Sequence, residues 1–290
     1  MEHITLSDSD YPSLLRETQA PPERLYFLGT LPSLPMISIV GTRKATPQGL
    51  RAAYEFAACF AEHGFAVVSG LALGIDAAAH RGALSVKGQT LAILAHGLHM
   101  IYPPNHKDLA EEIVASYGGL ISQYEEGVPP LKHRFLERNK LVAGISVATV
   151  IIEAPEKSGA LVTARLALEA NREIFVVPGP IHHLNYRGSH ALIREGARLV
   201  SSPYDVFQDL GVSSSLSQAS SFIPQNEEQR LIISVLRDAG VALHIDKIIE
   251  LTHFEPQTAN REVALLTIQG IIRETYGSYE LWVFDLDKKN

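Results

Sequence analysis

Two glycine turns in the first quarter of the chain carry residue types that bind anions. Each follows an apolar run: the run 36–40 ends in Gly-Thr-Arg-Lys, and a second run ends in Ser-Gly about 30 residues later, roughly one βαβ unit. A buried strand that ends in glycine and hydroxyl residues before a helix presents free backbone N–H groups to an anion. The candidate anion-binding residues are Gly41, Thr42, Arg43, Lys44, Ser69 and Gly70.

The first turn also has a structural interpretation, as an ordinary strand-to-helix connection with Pro47 at the first helical position. A purely structural turn does not explain its two adjacent cations, because the dipole of a helix start favours anions rather than cations. Arg43 can grip a phosphate through two parallel N–H groups. We therefore favour a phosphate-binding role for this turn.

The most basic stretch of the chain, 132–140, places four Lys and Arg and one Glu around a single aromatic residue. On a helix, the i+3 and i+4 positions share a face with that aromatic. Cations that follow a phosphate backbone and a ring that stacks on a base are what single-stranded nucleic acid requires. A solvated helix face with the ring in the core fits the pattern equally well. The residues in question are Lys132, Phe135, Arg138, Asn139 and Lys140.

A third turn, Lys157-Ser158-Gly159, follows an apolar run that ends at Glu153. Ser158 is a good helix N-cap, and Lys157 beside it can reach an anion at that helix start. The alternative is that Ser158 only caps the helix and Lys157 is simply exposed to solvent.

Motifs for catalysis are missing from the sequence. The first turn lacks G-x-G-x-x-G spacing, and no P-loop, H-E-x-x-H zinc motif or G-x-S-x-G nucleophile elbow occurs. Asp76 and His80 have the i,i+4 spacing of an acid–base pair, but the helix dipole favours a first-turn aspartate in any case. We therefore predict no catalytic residue, no metal site and no cofactor.

Composition and charge point to a folded protein with one basic region. The 290 residues are 46% hydrophobic and 20% charged. The net charge is −7, yet residues 36–204 carry 16 Lys and Arg against 14 Asp and Glu, whereas residues 222–290 carry 7 against 11. A polyanion site is therefore expected in the middle of the chain.

Cellular location is inferred from three features of the sequence. The single cysteine, Cys59, excludes an internal disulfide and suits a reducing cytoplasm. The longest apolar stretch, 141–152, is too short to cross a bilayer, and no secretory signal is visible. We expect a cytoplasmic protein without a membrane partner.

Apolar strand patterns alternate with amphipathic helix patterns between residues 36 and 200. This alternation predicts an α/β fold with a doubly wound parallel sheet whose ligand lies beyond the carboxyl ends of the strands. The predicted strands are 37–40, 66–69, 90–94, 120–122, 147–153 and 174–177, and the predicted helices are 47–63, 75–87, 106–117, 131–144 and 160–171.

Four segments follow from the composition. Residues 1–35 are punctuated by proline and are predicted to be a leader packed on the next domain, 36–205. A Ser-rich linker, 206–221, then leads to 222–290, where three helical patterns and a hairpin at Gly277-Ser278 predict a small winged-helix domain.

Taken together, these motifs resemble those of the DNA-processing protein A family (DprA, also called Smf). The resemblance spans about 37–205. It is carried by the three turns, the Phe-x-x-Arg-Asn-Lys helix, Tyr102-Pro103, Pro178-Gly179 and the stretch 192–197. Lys140 stands where the family usually has arginine, and 1–35 is too short for the SAM-like domain of many members.

The resemblance implies an extended Rossmann fold that binds single-stranded DNA, forms homodimers and has no enzymatic activity. Members load the RecA recombinase onto incoming DNA in natural transformation and interact with single-strand-binding protein. Twelve of the fourteen residues named above fall on the family's motifs and are the implied DNA-binding residues, whereas Lys44 and Lys132 are added from the charge pattern of the sequence. The implied dimer interface comprises His190, Ile193 and Leu199.

Two alternatives from other functional classes remain at this point. A Rossmann-like nucleotide phosphoribohydrolase is disfavoured because its Pro-Gly-Gly-x-Gly-Thr loop is missing. A winged helix that reads duplex DNA is disfavoured because its third helix offers only Arg261, beside Glu262, as a cation.

Overall fold

The computed structural model describes residues 2–212, 224, 226–268, 271–275 and 277–281. The chain divides into two compact units, Met1–Ser213 and Ser214–Asn290. Residues 206–209 of the predicted Ser-rich linker, 206–221, are helical, because they belong to the helix Pro203–Asp209. Residues 213–221 lie outside the described residues, as do Tyr276 and Trp282 of the predicted hairpin.

The first unit is built on a nine-stranded sheet with the order β1-β2-β6-β5-β4-β3-β7-β8-β9. The strands from β6 to β9 in this order are parallel, whereas β1 and β2 are antiparallel at one edge. The mostly parallel sheet predicted from the sequence is therefore confirmed. The strands are β1 (Glu2–Thr5), β2 (Arg24–Gly29), β3 (Met36–Val40), β4 (Ala66–Ser69), β5 (Thr90–Ile93), β6 (Gly119–Ser122), β7 (Ala148–Ile151), β8 (Glu173–Val176) and β9 (Arg198–Leu199).

Helices cover both faces of the sheet, because successive side chains of a strand point to opposite faces and both sets are apolar here. Among the described residues, no helix is both long and apolar enough to span a bilayer. The helices of this unit are α1 (Ser13–Arg16), α2 (Pro47–Glu62), α3 (Ile75–Ser85), α4 (Lys107–Ala115), α5 (Lys132–Ile145), α6 (Gly159–Glu169), α7 (Arg187–Arg194) and α8 (Pro203–Asp209).

Two separate apolar clusters show which helices pack on which face. Ile37, Ile39 and Val67 pack with α2 and α3. Val40 and Val68, one residue further along each strand, pack with α1, α5 and α6. The central strands are buried on both faces, which explains why their sequences are continuously apolar.

Residues 1–35 are part of the sheet and not only a leader packed beside it. β1 pairs with β2, and β2 pairs antiparallel with β6, so this segment extends the sheet by two strands. Tyr11 and Leu15, between the two strands, are fully buried in the core. The prolines at 21, 22, 32 and 35, on either side of β2, favoured the interpretation as a leader, because proline marks turns and loops.

The strand order places a topological switch between β3 and β7. Successive strands run from β3 to β4, β5 and β6 on one side, and from β7 to β8 and β9 on the other. In open α/β sheets, ligands bind in the crevice outside the carboxyl ends of the strands at such a point.

The described residues of the second unit form three helices and a three-stranded antiparallel sheet with the order β10-β12-β11. The three predicted helices and the hairpin are present in this order, and β10 is an additional strand that the sequence pattern did not predict. The helices pack around Ile232, Ile248 and Leu266. The elements are α9 (Glu227–Ala239), β10 (Leu243–His244), α10 (Ile245–Thr252), α11 (Pro256–Ile268), β11 (Ile272–Thr275) and β12 (Ser278–Leu281).

The close packing of α2 against α3 yields a prediction about stability. A Cβ added at the buried Gly82 of α3 would meet the backbone of Tyr54 on α2. Gly82→Ala is therefore expected to lower the free energy of unfolding by about 1–3 kcal/mol, as overpacked cores do. Urea denaturation of the full chain measures this change. Arg81→Ala, at the exposed neighbouring position, is the control and should stay within about 0.5 kcal/mol of wild type; equal effects would contradict the packing argument.

Candidate functional site

A trough of about 770 Å³ lies at the carboxyl ends of β3, β4 and β7, and α5 forms one of its walls. It occupies the crevice at the switch point between β3 and β7. Three turns that are distant in sequence meet there. Apart from Ser69 and Lys140, all the predicted DNA-binding residues line it, namely Gly41, Thr42, Arg43, Lys44, Gly70, Lys132, Phe135, Arg138, Asn139, Lys157, Ser158 and Gly159.

Ser69 and Lys140 do not line the trough. Ser69 is fully buried as the last residue of β4, and its hydroxyl donates a hydrogen bond to the carbonyl of Ile39 at 2.7 Å. Lys140 is exposed and is not among the residues that line the trough. The structure thus gives Ser69 a structural role and leaves Lys140 outside the lining of this site.

The charge that the trough presents is positive. Arg43, Lys44, Lys132 and Lys157 line it and are exposed. Among the described residues that line the trough, Asp76 is the acidic one, and it is buried. Cations of one sign along a cleft raise the local concentration of a polyanion.

The first glycine turn is held by main-chain hydrogen bonds. The N–H of Thr42 donates to the carbonyl of Glu153 at 2.8 Å, and the N–H of Ile75 donates to the carbonyl of Thr42 at 3.3 Å. Gly74 has a φ of +79°, and a Cβ there would meet the backbone of Thr42 and Arg43. Gly74 precedes α3, after the second glycine turn. Because it has no side chain, this segment can approach the first glycine turn closely.

Glu153 supports the same turn from below, and our sequence analysis did not predict this role. Its carboxylate is fully buried and accepts hydrogen bonds from the N–H and hydroxyl of Thr46, from Asn185 Nδ2 at 2.8 Å and from the Tyr186 hydroxyl at 2.9 Å. Burial and the bond to Glu153 raise the pKa of Tyr186 to about 12. A glutamate at the end of a continuously apolar strand was the available signal, because a buried carboxylate requires partners.

Arg138 is held inside the protein. The residue is 5% exposed, and its Nη1 donates to the carbonyls of Gly70 and Ile93, each at 2.6 Å. A Cβ at Gly70 would meet this guanidinium. Burial lowers the pKa of Arg138, and the nearby Asp76 carboxylate opposes that shift. The side chain lines the trough, yet its primary contacts join the ends of β4 and β5.

Phe135 is half-buried in the wall of the trough. It is therefore neither a fully exposed stacking ring nor a ring packed in the core, which were the two alternatives that the sequence left open. The guanidinium carbon of Arg43 lies 5.5 Å from the ring centroid, and that of Arg138 lies 5.9 Å from it. The ring of Tyr102 is tilted by 60° with its centroid 5.8 Å away. The ring therefore helps to orient Arg43 through cation–π attraction.

Asp76 and His80 do not form an acid–base pair. Asp76 accepts hydrogen bonds from the N–H groups of Gly70 at 3.1 Å and Ala72 at 3.3 Å. His80 Nδ1 lies 2.7 Å from Thr90 Oγ1, and burial lowers the pKa of His80 to about 3, so the ring is neutral near pH 7. Both side chains have structural roles. Within the described part of the chain, no cluster of three His, Cys, Asp or Glu residues is suited to a metal ion.

The third turn has the helix-capping role expected of it, and anion binding by Lys157 stays a prediction. Ser158 caps α6, because its hydroxyl accepts a hydrogen bond from the N–H of Leu161 at 3.4 Å. Asn139 Nδ2 lies 3.5 Å from the carbonyl of Gly159, which joins α5 to this turn. Lys157 remains exposed at the rim of the trough.

The three residues expected at a dimer interface lie near the β9 edge of the sheet. Leu199 is in β9 and is 53% exposed, and Ile193 packs partly against the core. His190 Nε2 lies 3.1 Å from the carbonyl of Gly179. Their role in dimerisation stays a prediction.

The contrast between Arg138 and Arg43 yields a second prediction. Arg138→Met is expected to lower the free energy of unfolding by about 3 kcal/mol, because it leaves two carbonyls without their charged donor. Arg43→Met, at the exposed position, should change it by less than about 0.5 kcal/mol. Urea denaturation of the two variants measures both values. Comparable losses would show that Arg138 does not hold the strand ends.

Comparisons with a family model and with known proteins indicate the same family. The family model described as DNA recombination-mediator protein A matches residues 2–211. Protein Smf from Synechocystis is 39% identical over 237 residues, which are 80% of this chain and 58% of that protein.

Two solved structures share the fold. The X-ray structure of DNA processing protein A from Streptococcus pneumoniae is 35% identical, with a TM-score of 0.68 over 72% of this chain and 74% of that chain. DNA processing protein A from Helicobacter pylori, whose single-stranded DNA binding mode has been described structurally, is 30% identical, with a TM-score of 0.64 over 73% of this chain and 97% of that chain.

The matched region corresponds to the first structural unit and contains every residue of the trough. The chain spans 58% of the length of its Synechocystis relative. With a family model that matches 2–211 and relatives at this level of identity, the chain belongs to the DNA recombination-mediator protein A family.

Proposed function

We propose that this protein binds single-stranded DNA in the trough and acts as a recombination mediator without catalysing a reaction itself. The observation that carries the proposal is the convergence of four exposed cations, Arg43, Lys44, Lys132 and Lys157, on one crevice at the switch point of the sheet. Single-stranded DNA binding by the Helicobacter pylori relative supports the same assignment.

The cations and the backbone of the turns would hold phosphates, and the half-buried aromatic wall would face bases. Arg43 is the central residue, because Phe135 orients its guanidinium and Glu153 supports its turn through Thr46. Contacts to phosphate and sugar carry no sequence information directly, so sequence preference should be weak.

The finer parts of the function follow from the family resemblance. The protein would act in the cytoplasm as a homodimer, load RecA onto single-stranded DNA and interact with single-strand-binding protein. An exposed Leu199 on the edge strand β9 is suited to pairing with a second copy. An exposed edge strand with apolar side chains favours association with another chain.

The second unit offers little for duplex DNA. Arg261 of α11 forms an ion pair with Glu262 at 2.8 Å, and the Glu262 carboxylate is buried and accepts further hydrogen bonds from Asn226 and Gln229. The single cation of α11 is therefore already paired with a carboxylate. A protein-contact role for this unit fits these charges better than groove reading.

Reversal of the central charge gives the third prediction. Arg43→Glu should weaken binding to oligo-dT by about 100-fold, because a charge-assisted contact to phosphate is lost and a repulsion is added. A gel-shift titration measures the affinity, and a thermal melt should show an unchanged fold. The same variant should fail to restore RecA ATPase activity on DNA coated with single-strand-binding protein. Unchanged affinity, or adenine released from AMP by the wild type, would overturn the proposal.

Salt dependence gives the fourth prediction. If the four exposed cations each neutralise a phosphate, the logarithm of the association constant should fall with the logarithm of the salt concentration with a slope of about −3. Arg43→Met should reduce the magnitude of that slope by about 0.7. Fluorescence anisotropy with labelled oligo-dT at several salt concentrations measures both slopes. A slope near zero would contradict phosphate binding by these side chains.

A further inference from the structure

Tyr102 is an aromatic side chain of the trough to which no role has yet been assigned. It lies between β5 and the short 3-10 turn Pro104–His106, and it is 42% exposed. It lines the same trough as the four exposed cations. A large ring exposed inside a positively charged crevice is the usual platform for an unpaired base.

The neighbouring ring of Phe135 is less available to a ligand. It is half-buried, and the guanidinium groups of Arg43 and Arg138 lie 5.5 Å and 5.9 Å from its centroid. The two aromatic rings meet at 60°, with centroids 5.8 Å apart. The two rings form a corner in which Tyr102 is the more exposed ring.

The backbone near Tyr102 is anchored to the site. His106 is buried, and its Nδ1 donates to the carbonyl of Leu71 at 2.8 Å. Leu71 directly follows Gly70 of the second glycine turn. Because the segment that carries Tyr102 is tied to this turn, the ring is positioned before a ligand arrives, which lowers the entropic cost of binding.

We propose that Tyr102 is the residue that selects unpaired strands: one base stacks on its ring, with Phe135 at the edge of that base, while Arg43 holds a phosphate. The inference rests on the proposed function and adds its specificity determinant. Both faces of a base in a duplex are covered by neighbouring base pairs, so a duplex offers phosphates to the trough but no free face to Tyr102. Stacking accepts every base, which agrees with weak sequence preference.

The test compares oligo-dT with an abasic oligomer of the same length, which keeps the phosphates and lacks the bases. Wild-type protein should bind oligo-dT about 10-fold more tightly than the abasic oligomer. Tyr102→Ala should bind the two equally, and Tyr102→Phe, which keeps the ring, should behave as wild type. The ratio of affinities for oligo-dT and a duplex of equal length should fall by the same factor in Tyr102→Ala. Fluorescence anisotropy measures each affinity.

Tyr117→Ala is the matched control, because Tyr117 is 76% exposed and does not line the trough. It should retain the wild-type ratio. If the wild type binds oligo-dT but Tyr102→Ala keeps the preference over the abasic oligomer, the stacking role is wrong and the proposed function stands. Equal binding of both oligomers by the wild type likewise removes the stacking role alone. If the wild type binds neither oligomer, the proposed function fails, and the inference fails with it.

Discussion

The hydrogen bonds of the buried Arg138 guanidinium are the interaction on which the geometry of the trough depends. From α5 it reaches the carbonyls of Gly70 and Ile93, which follow or end two neighbouring parallel strands. Removing a guanidinium from water costs several kcal/mol, and charge-assisted hydrogen bonds to two carbonyls offset that cost. Arg138 in this position requires glycine at position 70, because a Cβ there would occupy the position of the guanidinium.

Glu153 has the corresponding role on the other side of the switch point. It is a buried carboxylate at the end of β7, and its partners are neutral donors on the first glycine turn and on the segment before α7. The buried charges therefore hold the strand ends together, and the exposed cations above them remain available to a ligand. This separation explains why Arg43 and Arg138, both predicted to bind DNA, occupy such different environments.

Much of the fold was predictable from the sequence because the central strands are buried on both faces. Runs such as Met36–Val40 and Ala66–Ser69 are short and continuously apolar, and the amphipathic helices between them are long enough to show their period. The strands β1, β2 and β9 and the helix α7 were not predicted. β1 and β9 are short strands at the two edges of the sheet, β2 is flanked by prolines, and α7 has only eight residues. Their place in the sheet depends on partners that are distant in sequence.

The sequence alone determined the chemical character of the site: three turns rich in glycine and hydroxyl residues and a basic helix, each recognisable from local residue types. Only the tertiary structure decided which of these side chains face the ligand. Lys132 and Arg138 belong to one basic run, yet the first is exposed and the second is buried. A helical period shows which residues share a face, but it does not show what packs against that face. Contacts such as Tyr102 with Phe135 and Glu153 with Tyr186 join residues about 30 positions apart, and no local pattern contains them.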